Sequence, residues 1–228
     1  MMNDSEIRAA QQAQEIVLEP FDPKQVQPAS YDARVGAEAF NSTVKEKLDL
    51  SKTGLLIIEP GEFAMILTRE HFRLDKQHAG MLGLRSEYAK QGLLMLSGPQ
   101  IDPTFDGVLK VRLMNLAPKP IALIYEAPFL TIQFFRLSSP VNREYRGLSQ
   151  GQEKITSADI QELIGMKGMT LGEVMKSLGT LVEQVTTLGN NVAKLEGTVS
   201  KFSLFMGLYI GLMTLAATIY GIFVAIHR

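Results

Sequence analysis

A mainly β domain, followed by an α-helical coiled-coil stalk and one transmembrane helix, is the architecture that this 228-residue sequence predicts. Three observations carry it. Between Val26 and Leu137, short apolar runs are separated at even spacing by Pro, Gly and Asp, the pattern of an all-β sandwich or barrel. From Leu171, apolar residues recur at alternating spacings of three and four. Phe202 to Ile226 carries no charged residue at all.

The composition narrows the chemistry. The chain is 46% hydrophobic and 21% charged, with net charge -1 and no basic run, so no nucleic-acid partner is expected. Cysteine is absent, which excludes disulfides, a thiol nucleophile and thiolate zinc sites. His71, His78 and His227 are too scattered to build a metal site, so no protein-held metal is expected. The first thirty residues lack the apolar segment of roughly 7–15 residues that marks a secretory signal. The amino-terminal domain is therefore expected in the cytoplasm.

Asp4 to Ile16 reads as a short amphipathic helix, with Asp4 or Ser5 as its cap and Ile7, Ala10 and Ala13 on one side. From Glu19 to Gly36, three prolines and a glycine impose extended and turned backbone. Strands are then predicted at Gly54 to Ile58, Phe63 to Thr68, Met81 to Leu84, Leu93 to Leu96, Val108 to Met114, Ile121 to Tyr125 and Phe129 to Leu137. A turn, EPGE at Glu59 to Glu62, separates the first two. Alternation within Val108 to Met114 puts Leu109, Val111 and Leu113 on the core face and Lys110, Arg112 and Met114 on the other. That second face is either solvated or a basic wall lining an anionic ligand or a subunit contact.

The stretch LRSEYAKQGLLMLSGPQIDPTFDG, Leu84 to Gly107, places anion-binding groups near a lone carboxylate. Arg85 offers a planar fork of donors matched to phosphate oxygens, Ser86 a short donor and Lys90 a point charge. Asp102 precedes a proline, which keeps its backbone extended and leaves the carboxylate available to a water. Taken by itself, the spacing also fits an ordinary basic turn, a strand and a loop aspartate. Glu144 to Gln152, EYRGLSQGQ, is polar and glycine-bearing: a mobile tail able to fold over a ligand, or a linker. Residues 153–170 read as linker.

Leu171, Val174, Leu178, Leu181, Val185, Leu188, Val192, Leu195, Val199 and Phe202 form a heptad seam, so a parallel coiled coil is expected over 171–201. The competing reading is a single amphipathic helix lying on the globular domain; Gly179, Gly189 and Gly197 lower helix propensity in either case. The 25 residues of 202–226 would span about 37 Å, against about 30 Å of hydrocarbon, with Tyr209 and Tyr220 towards the interfaces. Only two residues follow, which predicts a tail anchor. Lys194 and Lys201 against Arg228 do not orient it, and Gly207 and Gly211 form a GxxxG that is either a packing motif or ordinary membrane glycine.

Several of these stretches occur in an order found in one family. QPASYDARVG at Gln27 to Gly36, IEPGEFAMILT at Ile58 to Thr68, LRSEYAKQGL at Leu84 to Leu93, IDPTFDGVLKVRLMN at Ile101 to Asn115 and the EYRGLSQGQ tail together resemble the dCTP deaminase branch of the trimeric dUTPase superfamily. The resemblance covers about Ile16 to Gln152. It implies a distorted jelly-roll β domain over 1–152, a homotrimer, deoxynucleoside triphosphate sites between subunits, and Mg2+ carried on the phosphates. By the same resemblance, Arg85, Ser86 and Lys90 touch the triphosphate and Phe105 lies near the sugar. Tyr145, Gln150 and Gln152 belong to the closing tail, and Asp102 activates the water that attacks a phosphate.

Three positions depart from the family's pattern. Arg112 stands where the deaminase branch has a proton-shuttling glutamate, and arginine, with a pKa above about 12, cannot exchange protons at neutral pH. Glu87 replaces a serine of the phosphate motif, and Leu148 replaces a lysine of the tail. The expected function is thus a membrane-tethered nucleotide-binding protein that hydrolyses deoxynucleoside triphosphates at Asp102. The alternatives are an inactive nucleotide sensor or membrane scaffold, and, third, a dCTP deaminase that recruits Glu87 or Asp106 as its acid.

Overall fold

The computed structural model describes residues 1–226 apart from Lys45 and residues 166–170. The chain forms two compact units, Met1–Val174 and Met175–Arg228.

The first unit opens with α1 (Asp4–Gln12), β1 (Ile16–Glu19), β2 (Val26–Gln27), β3 (Ser30–Asn41), β4 (Lys47–Asp49) and α2 (Leu50–Thr53). It continues through β5 (Leu55–Ile58), β6 (Phe63–Leu74), β7 (His78–Leu84), α3 (Ser86–Ala89), β8 (Leu93–Met95) and β9 (Gln100–Ile101). Then follow β10 (Asp106–Asn115), β11 (Ile121–Ile124), β12 (Pro128–Arg136) and α4 (Ser157–Gly165). A curled sheet runs in the order β8-β10-β6-β3-β12-β7-β9, with β1 added on β6 and β2 and β4 on β3, while β5 and β11 pair separately. The architecture is mainly β, as predicted.

The helix α1 is capped one residue earlier than expected. Asn3 Oδ1 accepts from Glu6 N at 2.9 Å and the Glu6 carboxylate accepts from Asn3 N at 2.8 Å, a reciprocal capping box, so the cap is Asn3 and neither Asp4 nor Ser5. Ile7 and Ala10 face the core; Ala13 is an exposed C-cap, and Ile16 already belongs to β1.

The largest departure from the sequence prediction is β3, twelve residues of strand where only extended and turned backbone was expected. Both of its faces are covered, so no alternation marks it, and its buried polar residues disguise it further. Tyr31 stacks on Phe21 with ring centroids 5.8 Å apart. The close crossing of β3 and β6 needs Gly36: a Cβ there would lie 2.6 Å from the Thr68 carbonyl oxygen. β6 likewise runs past Thr68 to Leu74, because its charged Glu70 is satisfied inside the fold. Glu70, 0% exposed, accepts from Arg34 Nε at 2.6 Å, Arg34 N at 2.8 Å and Tyr31 Oη at 3.3 Å. Arg34 also donates to the Pro20 carbonyl at 2.8 Å. Burial and the adjacent Glu70 carboxylate push the Tyr31 phenol up, so it stays a donor. For Arg34 burial works against the charge, but the Glu70 carboxylate outweighs it and raises the guanidinium further.

β10 alternates as predicted, with Leu109, Val111 and Leu113 buried and Lys110, Arg112 and Met114 on the other face. That other face is neither bare nor simply basic. Ile155 and Leu163 bury themselves beside Phe40, Met65 and Leu67 in a second apolar cluster, with Ile160 and Ile164 partly buried against it. The stretch read as linker thus holds a helix in its described part, α4, started by Thr156. The Thr156 N–H donates to Asp159 Oδ2 at 2.7 Å, and the Asp159 N–H returns to Thr156 Oγ1 at 3.3 Å.

The second unit is the bulk of α5 (Leu171–Ile226), 56 residues without a proline. At the helical rise it is about 84 Å long. It is long and apolar enough to cross a membrane. The seam residues Leu178 to Phe202 are exposed on the single chain. Thr186, Thr187 and Thr198 donate their hydroxyls to the carbonyls four residues back, and in the apolar part Thr214 donates to Ile210 and Gly211.

Candidate functional site

The connection from β9 to β10 is a tight turn whose Asp102 and Phe105 line a cavity of about 340 Å³. Thr104 adopts the left-handed conformation (φ 65), its N–H donates to the Asp75 carbonyl at 3.0 Å, and Phe105 closes the turn onto the Asp102 carbonyl at 3.2 Å. Asp102, Phe105, Lys110, Arg112, Tyr145 and Asp159 are among the lining residues. Asp102 is half-buried at the rim, where Gln100 Nε2 donates to its carboxylate at 2.5 Å. Phe105 is buried, with its ring tilted against Tyr145 at 6.0 Å.

The tail folds onto this turn. Tyr145 N donates to Thr104 Oγ1 at 2.6 Å, and the Gln150 side chain bridges Asp106 N and the Thr104 carbonyl at 3.2 and 3.1 Å. Gln152 pairs with Val108 through both its backbone and its side chain, at 2.9 and 2.7 Å. Gly107 makes this approach possible, since a Cβ there would lie 2.8 Å from the Gln152 carbonyl oxygen. Of the three predicted tail residues, Tyr145 and Gln152 line the cavity and Gln150 fastens the tail from outside.

On the opposite wall, the two cations of β10 are paired with α4. Lys110 Nζ meets Asp159 Oδ2 at 2.7 Å with both side chains mostly covered, and Arg112 grips Glu162 through two bonds, at 3.1 and 2.5 Å. Burial alone would raise the Asp159 carboxyl, but hydrogen bonds from Lys110 and Thr156 hold it below the usual carboxylate range. The Arg112 guanidinium lowers Glu162 in the same direction. A carboxylate lowered by folding stabilises the folded form above its unfolded pKa and loses that contribution as pH falls through the folded value. α4 will therefore stay docked at neutral pH and loosen below about pH 4, seen as accelerated amide exchange over 157–165 as the pH is stepped down, after correction for the intrinsic pH dependence of exchange.

The predicted phosphate-binding residues lie elsewhere. Arg85, Ser86 and Lys90 sit at the start and end of α3 and none lines the cavity. Ser86 and Lys90 are exposed, whereas Arg85 is paired with Asp32, a 2% exposed carboxylate on β3 that also accepts from Thr131 at 2.9 Å. Glu87 turns to Arg85 Nε at 3.1 Å. One chain thus separates the phosphate motif from Asp102. Neither Glu87 nor Asp106, the substitutes considered for a missing acid, lines the cavity, and Asp106 is engaged by His71 at 2.5 Å.

Sequence reasoning missed Asp159 and Gln100. The spacing Thr156 to Asp159, a helix-capping signature, was the available signal for α4, and alternation in β10 already placed Lys110 beside Arg112.

A family model described as dCTP deaminase-like matches residues 1–137. The dCTP deaminase of Pyrococcus furiosus is 40% identical over 150 residues, covering 65% of this chain and 94% of that protein. A dUMP-forming dCTP deaminase of Bifidobacterium longum is 32% identical over 167 residues, covering 66% and 86% respectively. Among solved structures, a 2'-deoxycytidine 5'-triphosphate deaminase from Agrobacterium tumefaciens aligns at a TM-score of 0.49 with 20% identity, over 58% of this chain and 46% of that one. The chain therefore spans less than half of that structure's length.

Proposed function

Because the chain belongs to the dCTP deaminase-like family of nucleotide-processing proteins, we propose that it is a membrane-anchored deoxynucleoside triphosphate hydrolase whose reacting carboxylate is Asp102. The observation that carries this reading is Asp102 lining a cavity that its own tail also lines, with Gln100 fixing one side of the carboxylate. Asp102 takes a proton from water, the water oxygen bonds to phosphorus, and the phosphate–oxygen bond to the leaving diphosphate breaks. Phe105 and Tyr145 offer apolar surface to sugar or base, and Gln152 holds the tail shut over them. Among the described residues no group of three or more His, Cys, Asp or Glu is arranged for a metal. Magnesium would thus arrive on the triphosphate, held by phosphates and water, and would neutralise phosphate charge there.

The phosphate motif is supplied by another copy, since Arg85, Ser86 and Lys90 do not reach this cavity from their own chain. A homotrimer meets that need. The seam valines 185, 192 and 199 with leucines 188 and 195 favour two strands, but a globular trimer would make helix association effectively intramolecular and override that bias. The detergent-solubilised full chain is expected to have the mass of three copies; a dimer would show that the stalk sets the assembly. The apolar half of α5 would hold the trimer to a membrane, with the β domains on the cytoplasmic side.

Deamination is not expected, because Arg112 stands where the family's pattern has a proton-shuttling glutamate, offers no carboxylate to take and return a proton, and is gripped by Glu162. Full-length protein in detergent, incubated with each deoxynucleoside triphosphate and magnesium, should release diphosphate and monophosphate. Ammonia from dCTP at roughly 1 per second or faster would overturn the reading. A second reading, a sensor that binds without turnover, is favoured by the pairing of Lys110, Arg112 and Arg85 with carboxylates of the same chain. Saturable binding with no product would establish it.

A further inference from the structure

We infer that α4 is an intramolecular latch: Asp159 and Glu162 occupy Lys110 and Arg112 until a polyanionic ligand enters the cavity, takes the two cations and releases the helix. The inference rests on the cavity being the nucleotide site.

Four features bear on it. Among the described residues, the latch closes on two cavity cations, Lys110 through Asp159 and Arg112 through Glu162. Both cations line the cavity, so a phosphate chain inside it competes for the same donors, and a guanidinium fork fits phosphate as well as carboxylate. Second, the apolar grip of α4 is small: Leu163 is buried, while Ile160 and Ile164 are only partly so. Third, a nine-residue helix is not stable in water on its own, so losing its docking melts it. Fourth, the pivot does not depend on the cavity. Ile155 N donates to Glu38 at 2.9 Å and Lys47 donates to the Ile155 carbonyl at 3.0 Å, with Lys47 and Glu38 themselves paired at 2.9 Å. Release would therefore free 157–165 while Ile155 stays fixed.

The output is mechanical. Docked, the nine residues of α4 span about 13 Å at the helical rise; melted, they reach up to about 30 Å. The state of the cavity thus becomes a change in the length that residues 157–165 can span.

The experiment uses the full-length chain in detergent, with dUTP plus magnesium and, separately, inorganic triphosphate as probes. Amide exchange over 157–165 is expected to quicken at least about tenfold at saturation, as a marginal helix loses its support. The double variant Asp159→Asn, Glu162→Gln should bind either probe about tenfold more tightly than wild type, because no carboxylate has to be displaced. Wild type that binds dUTP with unchanged exchange over 157–165, together with a variant of equal affinity, overturns the latch and leaves the proposed function standing. Failure of both proteins to bind either probe overturns both. Quickened exchange with dUTP but not with inorganic triphosphate would overturn the assignment of the phosphates as the trigger.

Discussion

Glu70→Ala is expected to lower the melting temperature of the β domain by about 10 °C, from a loss of roughly 3–5 kcal/mol at about 2–4 °C per kcal/mol. The magnitude follows from what remains behind. Arg34, whose side chain is 12% exposed, would keep its charge, the Pro20 carbonyl and a distant Asp22 at 3.7 Å, but lose its buried counter-charge. Tyr31 Oη and Arg34 N would lose an acceptor at the same moment, in a place water does not reach. Glu70→Gln keeps the shape and one acceptor and should cost less. Near-UV circular dichroism follows the transition, as the chain has no tryptophan, four of its six tyrosines precede α5 and Tyr31 sits in the network itself; Tyr209 and Tyr220 in α5 add only a baseline that the Glu70→Ala change leaves alone. A shift below about 3 °C for the alanine variant would mean that the pair is worth no more than an exposed one.

Asp102→Asn is expected to reduce hydrolysis by about 10²–10⁴-fold while changing triphosphate affinity little, since a general base contributes in that range to turnover and hardly to ground-state binding. The amide oxygen can still accept from Gln100 Nε2, so the rim should keep its shape. Rapid-quench product analysis beside equilibrium binding separates the two effects. Turnover equal to wild type would remove Asp102 from the mechanism, and an equal loss in turnover and binding would make it a binding residue.

Strands with an alternating face, or with an apolar run cut off by turn residues, were legible. β10 declares itself by alternation and the pair β5 and β11 as short apolar runs between turn residues, and their bounds differ from expectation by a residue or two. What stayed hidden were strands whose polar residues are spent inside the protein. In β3, Tyr31, Asp32 and Arg34 look like surface or motif residues, yet each partners something far along the chain: Glu70, Arg85 and Thr131. The same long-range pairing recasts Arg85. Its guanidinium is a phosphate donor by residue type, but here a buried aspartate orients it, so Arg85→Ala would disturb Asp32 as well as any ligand. Asp102, Phe105, Tyr145 and Gln152 line one cavity. The carboxylates of α4 could not be read from any one stretch, because Lys110 and Asp159 meet only once the helix has folded back on the sheet.

The unbroken course of α5 fixes an angular relation along its length. A helix without proline or interruption carries its rotational phase from the polar half into the apolar half, so the seam continues from Phe202 through Met206, Tyr209 and Met213. At about 100° per residue, Gly207 lies roughly 140° and Gly211 roughly 180° around the axis from Phe202. The glycine pair therefore looks away from the seam. If copies join along the seam and α5 crosses a membrane, each assembly would present its glycines outward to the lipid, and close helix approach through GxxxG would join neighbouring assemblies side by side rather than tighten any one of them.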